Sequence, residues 1–282
     1  MTIDAHHHVW DLTVRPQGWI DPVRMGPIHR SFGLDDLAGP ATSAGVRGTV
    51  LVQTVPVAAE TPEFLALADA SELILGVVGW VDLTDPAVAD RIAELRAGPG
   101  GRWLVSIRHG VQGEPDPDWL CRPDVRRGLA AVADAGLAYD LLLVANQLPA
   151  AARTAAELPG LRFVLDHLGK PPIAAGELGQ WSRDLAALAA SPNVAAKLSG
   201  LVTEADWTRW TVEDLAPFAR TALHAFGPHR LMFGSDWPVC LLASSYERWL
   251  AAAHELTADL SAPERDSVFA GCAREWYGLE RA

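Results

Sequence analysis

Cysteine, methionine and tyrosine are scarce in this chain, three of each among 282 residues. Cys121, Cys240 and Cys272 are odd in number and lack metal-ligand spacing. That excludes a disulfide framework or a cysteine-bound zinc module and fits a reducing cytoplasm. No apolar run approaches the roughly 20 residues that a membrane-spanning helix needs. The start, MTIDAHHHVWDL, has no basic stretch followed by an apolar one, so no secretory signal is expected there. Positive charge is in deficit, with 23 Lys and Arg against 35 Asp and Glu, for a net charge of -12. Nucleic acid and anionic membranes both call for basic patches, so neither is an expected partner.

What is present is a globular profile, 49% hydrophobic and 21% charged. The length suits one large core, so residues 1–282 read as a single domain. Eight short apolar runs recur: Ile3–Val9, Thr49–Val55, Leu73–Val81, Trp103–Val111, Ala138–Val144, Arg162–His167, Val194–Leu198 and Leu231–Phe233. Turn residues lie near each, as for buried parallel strands. Helical patterns fill the gaps. Val88, Ile92 and Leu95 recur at helical spacing after Asp85-Pro86, and Thr61-Pro62 opens another helix. Leu178, Trp181, Leu185 and Leu188 form an apolar stripe. Ser261-Ala262-Pro263-Glu264 is a capping box, with Val268 and Phe269 beyond it expected to pack under the barrel. Leu34–Val46 reads poorly as a helix because Gly39-Pro40 interrupts it. The alternation predicts the α/β class and a single (β/α)8 TIM barrel. Two irregular stretches, Asp11–Phe32 and Gly200–Val212, follow strands and are expected over the barrel mouth.

Chemistry in such barrels comes from the C-terminal ends of the strands. The first strand carries His6, His8 and Trp10, and the last leads into Ser235, Asp236 and Trp237. First and last strands are neighbours in a closed barrel, and residues two apart on a strand share a face. His6 and His8 are therefore expected beside Asp236. Two imidazoles and a carboxylate suit a divalent metal or a water activated for attack. Strand six ends in Asp166-His167, which adds His167 as a candidate. Arg108 and Lys197 are charges within apolar strands, costly unless paired or functional. Internal ion pairs, or anchors for a carbonyl or oxyanion, would each account for them. Trp10, Trp80 and Trp237 are candidates for a flat face against a sugar ring, or for packing under the loops. His109 points away from Arg108 on its strand, at the substrate or at the surface.

The histidine-x-histidine of strand one and the aspartate of strand eight resemble the amidohydrolase superfamily. Longer stretches resemble its sugar-lactonase branch, the L-fucono-lactonase and L-rhamnono-lactonase type, and more distantly 2-pyrone-4,6-dicarboxylate lactonase. They are Ile3–Asp11, Val77–Leu83, Ile107–Leu120 (IRHGVQGEPDPDWL), Val164–Ile173 (VLDHLGKPPI), Asn193–Trp207 (NVAAKLSGLVTEADW) and Leu231–Val239 (LMFGSDWPV). The resemblance implies a cytoplasmic hydrolase that opens a sugar-acid lactone. With the strand-end reading it gives Asp236, His167, Arg108 and Lys197 as the expected catalytic residues, and Trp10, Trp80, His109 and Trp237 as the expected substrate contacts. His6, His8 and Asp236 would hold one divalent metal, zinc being the first choice, or serve a metal-free site. Members with two metals carry a histidine on strand five. Here that strand runs into Leu142-Leu143-Val144-Ala145-Asn146, so no second ion is expected. The same superfamily offers an alternative, a metal-dependent decarboxylase or hydratase of an aromatic or dicarboxylic acid.

Overall fold

Strand β1 (Thr2–His7) and strand β2 (Val46–Val52) begin a cycle in which each apolar run pairs with the next one along the chain. The others are β3 (Ile74–Gly79), β4 (Leu104–Gly110), β5 (Ala138–Leu142), β6 (Arg162–Leu165), β7 (Val194–Leu198) and β8 (Leu231–Phe233). The computed structural model describes residues 1–279. All eight strands are parallel and stand in chain order. The circle closes where the Asp236 N–H donates to the His6 carbonyl at 2.8 Å and the His8 N–H to the Trp237 carbonyl at 2.7 Å. This is the expected (β/α)8 barrel. Among the described residues no helix is long and apolar enough to cross a membrane.

Alternation along each strand splits the core into two layers. Val50 and Val52, Val78, Val164, Ala195 and Met232 fill the barrel interior. Leu51, Val77, Phe163, Ala196 and Phe233 face the surrounding helices. The interior is closed from below by Ala270, Cys272, Ala273, Trp276, Tyr277 and Leu279. Val268 and Phe269 do not join that plug. They pack in the outer layer, where Phe269 meets Phe233 and stacks on His254, 4.0 Å between ring centroids.

The helices form where the patterns place them, with two corrections, the lesser being a helical turn at Leu201–Glu204 inside the stretch read as irregular after β7. Leu34–Ser43 is a helix in spite of Pro40 inside it. The Asp36 carboxylate accepts the Gly33 N–H at 2.9 Å and so caps the first turn. Leu37 and Ala41 are fully buried on its inner face. Proline removes one backbone bond, and the cap and the burial outweigh it. Most strands are shorter at their C-terminal ends than the apolar runs suggest. Thr54–Val55, Trp80–Val81 and Asp166–His167 leave the ladder, turning toward or around the mouth.

Candidate active site

A bulge in β1 aims the histidines. Asp4 pairs with Thr49 and His7 with Leu51, three steps on one strand against two on the other. The extra residue shifts the alternation. Ile3 and Ala5 lie in the interior cluster, and beyond the bulge His6 and His8 also face the axis. Asp4 turns to the helix layer, where its carboxylate accepts from Ser235 and from the Tyr246 hydroxyl at 3.0 Å. His7 follows it outward, fully buried, and burial pushes its imidazole down to about 3.

His6 and His8 bring their Nε2 atoms to 3.1 Å of one another. Asp236 Oδ1 stands 3.7 Å from the first and 3.5 Å from the second. His167 completes the set, its Nε2 3.9 Å from the same oxygen and its Nδ1 2.8 Å from the Ser199 hydroxyl. Both loop ends that carry this set are strained. Among the described residues, the non-glycine ones with positive φ are His167, Leu168 and Lys170 after β6, and Asp236 after β8. Such backbone costs about 1–3 kcal/mol per residue and persists where the surroundings enforce it. Two glycines make the room. A Cβ on Gly200 would lie 2.6 Å from His167 Nδ1, and one on Gly234 would lie 2.8 Å from His6 Cβ.

Beneath the histidines lies a layer of buried charge. Lys197 Nζ donates to Asp140 Oδ2 at 2.6 Å and lies 2.9 Å from Asp166 Oδ1 and 3.1 Å from His6 Nδ1. Arg108 donates to Asp166 Oδ2 at 3.0 Å, to the Gln53 side chain at 2.8 Å and to the Gln53 carbonyl. Ser106 and Tyr277 hydrogen-bond Asp140, each at 2.7 Å. Arg108 and Lys197 are thus internally paired, and Arg108 also reaches the wall of the cavity.

Burial alone would raise the Asp236 carboxyl, but His167, a hydrogen bond from His8 and the Lys170 charge outweigh it and hold it below the ordinary carboxylate value. Asp166 also sits well below that value, since Lys197, His6 and Arg108 overcome its burial. Burial drives His6 well below the usual imidazole range and His167 down to about 4. At neutral pH the mouth therefore holds an ionised Asp236 and neutral His6 and His167.

The donor set fits a metal ion. His8 Nδ1 meets the Val52 carbonyl at 2.8 Å, an acceptor only, so that nitrogen carries a proton and Nε2 is the atom turned to the site. This is the orientation that a ligating histidine needs. His6, His167 and Asp236 have ligand atoms within 4.8 Å of one another, and His8 approaches the same point from β1. β5 sends Asp140 into the charged layer and Leu142 to the mouth, with no further imidazole.

His8, His167 and Asp236 open into a cavity of about 610 Å³ whose walls also include Gln53, Arg108, His109 and Leu142, with His6 buried behind them. Trp10 and Trp237 do not line it. Each is buried edge-on against Phe32, which fastens the loop from Asp11 to Phe32 to the barrel. Trp80 is one step back, its indole N–H donating to His109 Nδ1 at 3.2 Å. Trp19 and Trp207, from the two irregular loops, line the cavity instead, together with Glu114, Lys170 and Glu204. Those loops were expected over the mouth, so their tryptophans carried a positional signal. The acidic and basic groups among them carried none.

A model of the amidohydrolase family matches residues 3–279. The chain belongs to the amidohydrolase family. An L-fucono-1,5-lactonase from Burkholderia multivorans is 40% identical over 292 residues, covering 99% of this chain and 96% of the relative. One from Burkholderia ambifaria is 38% identical over 287 residues, with the same coverage, 99% and 96%. A crystal structure of an amidohydrolase from Burkholderia multivorans with bound zinc superposes with a TM-score of 0.94 at 37% identity, covering 99% of this chain and 100% of that one. This amidohydrolase therefore shares its fold and nearly its whole length with those relatives.

Proposed function

We propose that this amidohydrolase opens a sugar-acid lactone, of the L-fucono-1,5-lactone kind, to the free hydroxy acid. The observation that carries the reading is the buried Asp236 carboxylate set among three imidazoles and opening into the cavity. The names and lengths of the Burkholderia lactonases support it. Hydrolysis of a lactone requires water to attack the ester carbonyl and the ring oxygen to leave. Asp236 accepts the proton from water as the new bond from the water oxygen to the carbonyl carbon forms, then returns it to the ring oxygen as the bond between that carbon and the ring oxygen breaks. His167, tied to Ser199, offers Nε2 to the carbonyl side of the site. Arg108 and Lys197 act through others: by holding Asp166 ionised beside His6 they fix the orientation of that imidazole. This narrows the catalytic role expected for them to positioning. A divalent ion held by His6, His8 and Asp236, with His167 in reach, would lower the pKa of water and polarise the carbonyl.

A pH-indicator screen of sugar lactones tests the reading. Turnover of 1,5-lactones is expected. Failure on every lactone, with carbon dioxide released from an aromatic acid, would favour a decarboxylase. Metal analysis of the purified protein is expected to find no more than one equivalent per chain, and two equivalents would refute the single site.

A further inference from the structure

The β4 end carries a relay of fixed hydrogen-bond direction that ends in the cavity. The Trp80 indole can only donate, so His109 Nδ1, 3.2 Å away, is an acceptor and the ring proton is on Nε2. Nε2 in turn donates to Glu114 Oε1 at 2.7 Å. The imidazole cannot swing away, because it stacks on the buried Trp119 ring with centroids 4.4 Å apart and planes 11° apart. His109 therefore holds one oxygen of Glu114 and leaves Oε2 without a hydrogen bond among the described residues. Glu114 lies in the cavity wall and is a quarter exposed, 26%. The other wall glutamate, Glu204, faces the Lys170 ammonium at 3.9 Å.

We infer that Glu114 is the hydroxyl-recognising residue of this amidohydrolase, accepting hydrogen bonds from the ring hydroxyls of a polyhydroxylated substrate, and that Trp80 and His109 are its positioning residues. This deepens the lactonase reading and rests on it for the substrate class. An acceptor locked in place loses little freedom on binding, and a carboxylate bonds a hydroxyl more strongly than a neutral group does. His109, expected against the substrate, has no proton left to offer it.

The test uses two pairs of ring compounds, one member polyhydroxylated and the other bare. Glu114→Gln turns the free acceptor into an amide N–H. It is expected to lower kcat/KM for a polyhydroxylated 1,5-lactone by about 10- to 100-fold, chiefly through KM, and to leave δ-valerolactone turnover unchanged. Trp80→Phe keeps the ring and removes the donor, so its smaller loss should vanish in the Glu114→Gln background. Equal losses on both lactones, or additive losses in the double variant, would overturn the inference. Calorimetry with a non-hydrolysable polyhydroxylated 1,5-lactam and with δ-valerolactam separates this from the lactonase reading. If wild type turns over no lactone, that reading fails. The subsite still stands if Glu114→Gln weakens only the polyhydroxylated lactam, and it falls if both lactams bind the variant as they bind wild type.

Discussion

The lower and upper ends of the barrel are built on opposite terms. Below, Ala270, Ala273, Trp276 and Leu279 seal the interior with apolar contact. Above, Asp236, His6 and His167 gather around one point with His8 beside His6, on backbone strained at His167 and Asp236. Between them the ion layer of Arg108, Asp140, Asp166 and Lys197 is fully or almost fully buried. Apolar burial stabilises and carries no chemistry. Buried charge contributes little net stability, yet it holds side chains in a single arrangement. Stability and activity should therefore separate along the barrel axis.

Substitutions at the two ends test that separation. The largest activity effect is expected at the top. Asp236→Asn keeps the size and loses the proton acceptor, so lactone turnover should drop by about a hundred- to ten-thousand-fold while the thermal midpoint holds. A folded variant with near wild-type turnover would remove Asp236 from the proposed role. At the bottom the pattern should invert. Trp276→Ala empties part of the plug and is expected to cost about 3–5 kcal/mol in denaturant unfolding, with kcat of the folded protein unchanged. A large kcat loss there would mean that the floor reaches the mouth, and Tyr277, bonded to Asp140, would be the route.

Smaller effects sharpen the comparison. Gly200→Ala puts a side chain on a residue with φ of +65°, against His167. It should cost about 1–2 kcal/mol and also lower kcat, because the imidazole is pushed from Ser199. A pure stability loss would show that His167 tolerates displacement. Ser261→Ala opens the capping box in which Ser261 and Glu264 bond at 2.6 Å, far from the mouth. About 1 kcal/mol of stability and no activity should be lost, as a melting curve beside a rate assay would show.

Most of the architecture was legible because period and punctuation report local preference. β7 and β8 end where the apolar runs end, and the capping box at Ser261 forms as written. The helix over Leu34–Ser43 was not legible, since proline argues locally against a helix that Leu37 and Ala41 stabilise by burial. The tryptophans divide in the same way. Position at a strand end marked Trp10, Trp80 and Trp237, yet packing against Phe32 and His109 draws them from the cavity while loop residues Trp19 and Trp207 reach it.

The order of strands along the chain and the residues at their ends determined the barrel and brought His6, His8, His167 and Asp236 to one mouth. Connectivity and alternation are properties of the chain itself. Tertiary structure alone decided the rest. The bulge that turns His6 inward beside Ala5 exists only in register with β2. The partners that confine Lys197 and Arg108 come from β5 and from the residues just after β2 and β6, and Tyr277 reaches Asp140 across 137 residues of sequence. A charge in an apolar strand announces that it must be paired, and the identity of its partner depends on which strands the closed sheet sets beside it.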